Sequence, residues 1–361
     1  MRVLLLSPAP FDAFRRSKQF LALAFAQRGH DVLYVNPPVS PLSFVRSPSR
    51  LRHLLGGAVA APAPRVTTWQ PRVLPGQETA AAQTVNAALV ARGVRRLMPE
   101  PDLTIAFGLE SRTVFGRLPG RRVYYCTDSL EDVPGNDAAV MRAREQPLID
   151  AAEVVVACSR GLEKQLARRV GPGRRPPVYI PHGCDEAFFV SRPDTLPELA
   201  GRRRPWVGYV GSINSRIDAR LLDAARRGAG TGTLVLIGGR FGSGPPIDRA
   251  TEVLLARPDV VVVDEKDAAT VPAYVAALDV GLAPYLDDDF NRKSFPLKIP
   301  QYLAAGVPVV STPNGATEEL DDVVRVAVEP AEFEAAVAAA AADPGGREAR
   351  IRRAAARPWT R

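Results

Sequence analysis

Cysteine, histidine and aromatic residues are all scarce in this chain. The three cysteines, Cys126, Cys158 and Cys184, are widely spaced. An odd number at such spacing fits neither a disulfide framework nor a thiolate metal centre, and each thiol is read as reduced and structural. Of the three histidines, His53 lies in a basic loop and His30 approaches a strand. His182, in IPHGCD, follows a strand and precedes a glycine, so its ring either projects into a cleft as a donor or proton shuttle or simply packs. Aromatics make up 7% and do not interleave with the basic groups, which argues against a stacking platform for nucleic acid. No apolar run approaches the roughly 20 residues of a membrane span. The opening MRVLLLSPAPFD has too short an apolar core for a secretory signal, so the expected location is the cytoplasm.

What the chain has is length and positive charge. Its 361 residues suit two domains, each able to bury its own core. The net charge of +8 could point to nucleic acid, an anionic membrane or an anionic small substrate, but it is dispersed, with local groups at Arg15-Arg16-Lys18, 46–52, 202–204 and 347–353, and reads first as solvated basic faces in an arginine-rich composition. SFVRSPSRLRHLL (43–55) mixes leucines and arginines as a segment lying on an anionic membrane does, so peripheral contact with the inner membrane face is a separate expectation.

Short leucine and β-branched runs at 3–8, 31–37, 102–108, 121–128, 153–159 and 177–183 alternate with helical patterns such as SKQFLALAFAQRG. That alternation predicts a parallel sheet covered by helices. A proline- and arginine-rich stretch follows, and the rhythm restarts at 206–212, 232–239, 259–265, 279–285, 307–313 and 323–328. The reading is α/β: two doubly wound, Rossmann-like domains, 1–190 and 206–345, with a linker at 191–205 and a basic helix at 346–361 crossing back to the first domain. Ligands of such sheets bind at the carboxyl ends of the strands, here expected to face one another across a central cleft.

Several motifs sit at those ends. GGRFGSG (238–244) is glycine-rich, yet it matches neither the phosphate-loop nor the dinucleotide spacing. GYVGSINSRID (208–218) places Gly211, Ser212 and Arg216 at one strand end, to bind an anion or to cap a helix beginning near Asp218. Asp287-Asp288-Asp289 resembles a divalent-cation ligand set, but Arg292 and Lys293 follow it, so it reads as an acidic loop and no metal is expected.

RGHDVLYVNPP, VYYCTD, VVVACSRGLEKQL, YIPHGCDEAFF, WVGYVGSINSRID and PLKIPQYLAAGVPVVSTP together resemble the GT-B glycosyltransferases, specifically the retaining group called family 4 or group 1. The resemblance covers nearly the whole chain. It implies transfer of a sugar from a nucleotide-diphosphate sugar, a UDP or GDP sugar foremost, to a sugar, lipid-linked or small-molecule acceptor, as in polysaccharide or glycoconjugate biosynthesis. Donor contacts would come from Gly211, Ser212, Arg216, Arg240, Phe295, Pro296, Leu297, Lys298 and Gln301, with Lys298 meeting the charge of the leaving phosphate. Asp128 and His182 would face the sugar or acceptor hydroxyl, and Arg16 the acceptor or phosphate.

The chain also departs from that family. Its two glutamates, eight apart, fall on Lys293 and Gln301, and its phosphate-binding arginine and lysine, five apart, fall on Ser212 and Ile217. Gln301 still offers an amide oxygen to a ribose hydroxyl. Retention needs no carboxylate nucleophile if a donor phosphate oxygen takes the acceptor proton, so catalysis would rest on positioning and electrostatics. The lost carboxylates leave two alternatives open: a catalytically inactive GT-B binding partner, and a nucleotide-sugar epimerase.

Overall fold

A computed structural model describes residues 1–12, 16–40, 59–75, 79–193, 196–240, 247–343 and 345–360. The chain folds into two units, Met1–Ile180 with Thr360, and Pro181–Trp359.

The first unit is built on β1 (Arg2–Leu6), β2 (Asp31–Val35), β3 (Val59–Ala63), β4 (Val66–Trp69), β5 (Leu103–Ala106), β6 (Arg121–Cys126), β7 (Val154–Ala157) and β8 (Val178–Tyr179). They form one sheet in the order β3-β4-β2-β1-β5-β6-β7-β8. Every pairing is parallel except β3 with β4. Val3, Leu4 and Leu5 of the central β1 are fully buried, as expected of a strand covered on both faces. Helices begin where a short polar side chain accepts an early amide: Thr79 from Ala82, Asp137 from Val140, and Ser159 from Leu162.

The second unit contains β9 (Trp206–Val210), β10 (Thr233–Ile237), β11 (Val260–Val263), β12 (Val280–Ala283), β13 (Val309–Ser311) and β14 (Val324–Val326). Its six-stranded parallel sheet runs β11-β10-β9-β12-β13-β14, the doubly wound order in which the chain reverses direction between β9 and β12. Asp218 caps the helix Ala219–Gly228 by accepting the Arg220 amide, while Asn214 accepts the Arg216 amide in the turn before it. Gly281 leaves room for the Tyr302 ring, because a Cβ there would lie 2.5 Å from a ring carbon. The Tyr302 hydroxyl then accepts the Val210 amide at 2.9 Å, fastening the helix Lys298–Ala304 to β9.

All twelve strand segments expected from the pattern are present. The β3–β4 hairpin is additional. The acidic stretch Asp287-Asp288-Asp289, read as a loop, leads into a short helix, Asp289–Lys293, capped by Asp288, while Asp287 pairs with Arg292. The basic helix Arg347–Ala355 packs on the Lys298–Ala304 helix, with Arg347 and Arg350 donating to the carbonyls of Ala305 and Gly306 at its C-terminal end. The three cysteines are reduced and buried. Among the described residues no helix is long and apolar enough to cross a membrane. The segment 43–55 and residues 241–246 of the glycine-rich loop lie outside the described residues.

Candidate active site

At the strand-order reversal of the second unit, β9 ends in Gly211 at φ +138°. That backbone suits glycine alone, and a Cβ on it would sit 3.1 Å from the Lys298 Nζ. Lys298 is half-buried. Its ammonium lies 3.3 Å from the Tyr209 ring centroid and 5.1 Å from that of Tyr285. Burial pulls its pKa well below the ordinary lysine value, and the Arg216 charge pushes the same way. Arg216 stacks 4.5 Å from the Phe290 ring centroid and donates from Nε and Nη2 to Asn291 Oδ1 at 3.0 and 2.9 Å. Among the described residues neither cation has a carboxylate partner; Arg216 is held by a neutral amide and Lys298 by ring faces. Two neighbouring cations that are not neutralised among the described residues have the charge to attract an anion.

The remaining expected donor residues belong to the same unit. Ser212 and Gln301 are half-buried, and neither side chain makes a hydrogen bond among the described residues. Phe295 and Pro296 are buried and Leu297 is half-buried. Arg240 is exposed beyond β10. His182 groups with the second unit, its ring 5.5 Å from both Phe295 and Trp359. A Cβ on the adjoining Gly183 would meet the Trp359 backbone at 2.7 Å, so this corner is closely packed by the chain's last turn.

A second polar cluster lies in the first unit, at the carboxyl end of β6. Lys18 Nζ donates to Thr127 Oγ1 at 3.0 Å, and that hydroxyl donates to the Asp128 carboxylate at 2.9 Å. Burial lowers the Lys18 pKa, and the Asp128 charge opposes the shift. Arg16 is exposed, its backbone amide held by Gln19 Oε1 at the start of the first helix. Sequence reasoning missed Lys18, Thr127, Tyr209, Tyr285 and Asn291 as site residues. The tyrosines stood in the quoted strands GYVGS and DVGLAPY, and only folding shows them beneath Lys298.

Residues 204–343, the body of the second unit, match the family model for glycosyl transferases group 1. Over that stretch, under half of the chain, the sequence is similar to the group 1 glycosyl transferases. TuaH of Bacillus subtilis strain 168, a glycosyltransferase assigned to teichuronic acid biosynthesis, is 27% identical over 183 residues, 50% of this chain and 45% of TuaH. The match thus spans under half of that relative's length. Sucrose-phosphate synthase of Thermosynechococcus elongatus superposes with a TM-score of 0.76 at 18% identity, over 99% of this chain and 95% of that one. HepE of Anabaena, solved in complex with UDP, gives 0.64 at 16% identity, over 99% and 94%. These structural likenesses show the fold, GT-B.

Proposed function

We propose that the protein transfers a sugar from a nucleoside-diphosphate sugar to an acceptor hydroxyl, with retention of anomeric configuration. The donor diphosphate lies on Arg216 and Lys298, against Gly211 and Ser212. The observation that carries this reading is the pair of cations at the strand-order reversal that have no carboxylate partner among the described residues. The UDP complex of HepE supports uridine as the base.

As the glycosidic bond breaks, negative charge grows on the leaving phosphate, and a preorganised ammonium and guanidinium stabilise that charge more than they stabilise the ground state. Gln301 offers its amide to the ribose or sugar hydroxyls. Asp128, oriented through Thr127 by Lys18, lies on the acceptor side. The assignment of TuaH to teichuronic acid biosynthesis supports a polysaccharide or glycoconjugate product.

The test is thermal unfolding against UDP, GDP, ADP and TDP with and without Mg²⁺, followed by turnover of the stabilising nucleotide's sugars and assignment of the product anomer by NMR. A ligand at about a hundred times its dissociation constant adds roughly 2.7 kcal/mol, a shift of several degrees. No shift with any nucleotide sinks the donor site. A shift without transfer to any acceptor makes the chain a nucleotide-binding partner protein instead, and donor turnover without acceptor an epimerase.

A further inference from the structure

The first unit contains a cavity of about 370 Å³ that the donor chemistry does not use. It opens at the carboxyl ends of β1 and β2, where Leu6, Val35, Pro37 and Pro38 form one wall, and the helix Ala80–Leu97 closes another with Ala87 and Val90. No aromatic side chain is among its described lining residues, so no flat face is offered to a base or a sugar ring. Nine of its nineteen described lining residues are polar or charged, but part of that supply is consumed within the fold: the Ser7 hydroxyl donates to the Ala9 carbonyl and accepts from Tyr34. Asn86 is consumed by the wall itself, accepting from and donating to the Leu74 backbone. Asn36 Oδ1 accepts the Phe11 amide, which leaves the Asn36 amino group without an acceptor among the described residues. Ser111 lines the cavity and is 6% exposed, and its hydroxyl has no hydrogen-bond partner among the described residues. Arg112 and Arg144 also line it, against one carboxylate, Glu110, and neither arginine is in an ion pair among the described residues.

These features select a ligand chemistry. A sugar placed here would bury several hydroxyls against aliphatic walls, each unpaired one being penalised. An aliphatic chain can lie along the wall formed by Leu6, Val35, Pro37, Pro38, Ala87 and Val90, and its polar end finds Asn36, Ser111, Arg144 and Arg112, the last also donating to the Leu109 carbonyl. We propose that the cavity binds the aliphatic chain of an amphiphile with an anionic head group. On the glycosyl-transfer reading, this amphiphile is the acceptor, which narrows the acceptor class to a lipid-linked one.

The experiment is calorimetric titration of the full chain with hexyl, octyl and decyl phosphate below their micelle concentrations, with glucose 1-phosphate and inorganic phosphate as chainless anions. Affinity is expected to rise about fourfold for each methylene that enters the cavity, the equivalent of about 0.8 kcal/mol. Val90→Phe should flatten that ladder. Arg112→Gln should lower every affinity while keeping its slope.

Affinity independent of chain length, or glucose 1-phosphate binding as tightly as the decyl compound, overturns the proposal. UDP-induced stabilisation, recorded on the same preparations, reports the second unit. Absent alkyl binding with an intact UDP response refutes the cavity assignment and leaves the transfer reading standing. A chain-length ladder without any UDP response supports the cavity assignment and removes the transfer reading. If Val90→Phe fails to fold, the unmutated protein's ladder still decides.

Discussion

Replacing Lys298 by methionine separates a ligand-binding cation from a structural one. Methionine keeps the length and apolar contacts of the side chain over Tyr209 and Tyr285 but removes the charge. In the unliganded protein that charge is partly desolvated and lies near Arg216, the two causes that depress its pKa. The ring contacts offset part of this, at about 0.5–2 kcal/mol for a cation over an aromatic face. The unliganded variant should therefore melt at or above the parent temperature, a gain of about 1 kcal/mol being worth about 2–4 °C in a unit of this size. With UDP the sign reverses. A charge-assisted hydrogen bond to phosphate contributes about 1.5–3 kcal/mol, so the dissociation constant should rise about 10- to 150-fold. Calorimetry and thermal unfolding of parent and variant, side by side, read both effects. A change in UDP affinity below about threefold, within the reach of minor repacking, refutes the assignment of Lys298 to the diphosphate.

The depressed Lys298 pKa also predicts proton uptake on binding. A diphosphate favours the ammonium, so affinity should fall as pH rises through the free protein's Lys298 pKa, and calorimetry in buffers of different ionisation enthalpy should show protons taken up. In the same linkage the unliganded protein gains stability as pH rises from that depressed value towards about 10.4, because the unfolded lysine holds its proton longer. Gly238 has φ +143°, and a Cβ there would lie 2.3 Å from the Gly211 carbonyl oxygen, so Gly238→Ala should cost about 1–3 kcal/mol by denaturant titration and weaken UDP binding with it. Asp128→Asn keeps the Thr127 contact but removes the charge; transfer rate should drop at least tenfold with UDP affinity unchanged, and equal loss of both would place Asp128 in the structural core.

Much of the architecture was legible because each parallel strand is a short apolar run ended by a turn. DVVVVDE and GTLVLIGG announce β11 and β10 without reference to anything distant. The β3–β4 hairpin escaped because VAAPA has neither alternation nor β-branched density, and its pairing with VTTW depends on β2 beside it. The start of the helix Lys298–Ala304 is hidden in PLKIPQYLAAG because Pro300 stands within its first turn. Proline is tolerated in a first helical turn, where its missing N–H had no partner to lose.

The candidate site was legible as residue types but not as electrostatics. Lys298 and Arg216 stand 82 positions apart, and nothing in either motif says that no carboxylate among the described residues meets them. Folding supplies that fact, and it is the informative one. A lysine pressed onto two tyrosines beside a second cation is a poor choice for stability, since an apolar side chain would fill the space without the desolvation penalty. Two buried arginines elsewhere are compensated: Arg169 by Glu145, and Arg350 by backbone carbonyls and Asp343. Lys298 and Arg216 are held instead by rings and an amide, which fix position without neutralising charge. Such an arrangement is consistent with a fold that keeps the charge available for an anion arriving from solution, so the destabilisation in the empty state and the affinity in the filled one have the same physical source.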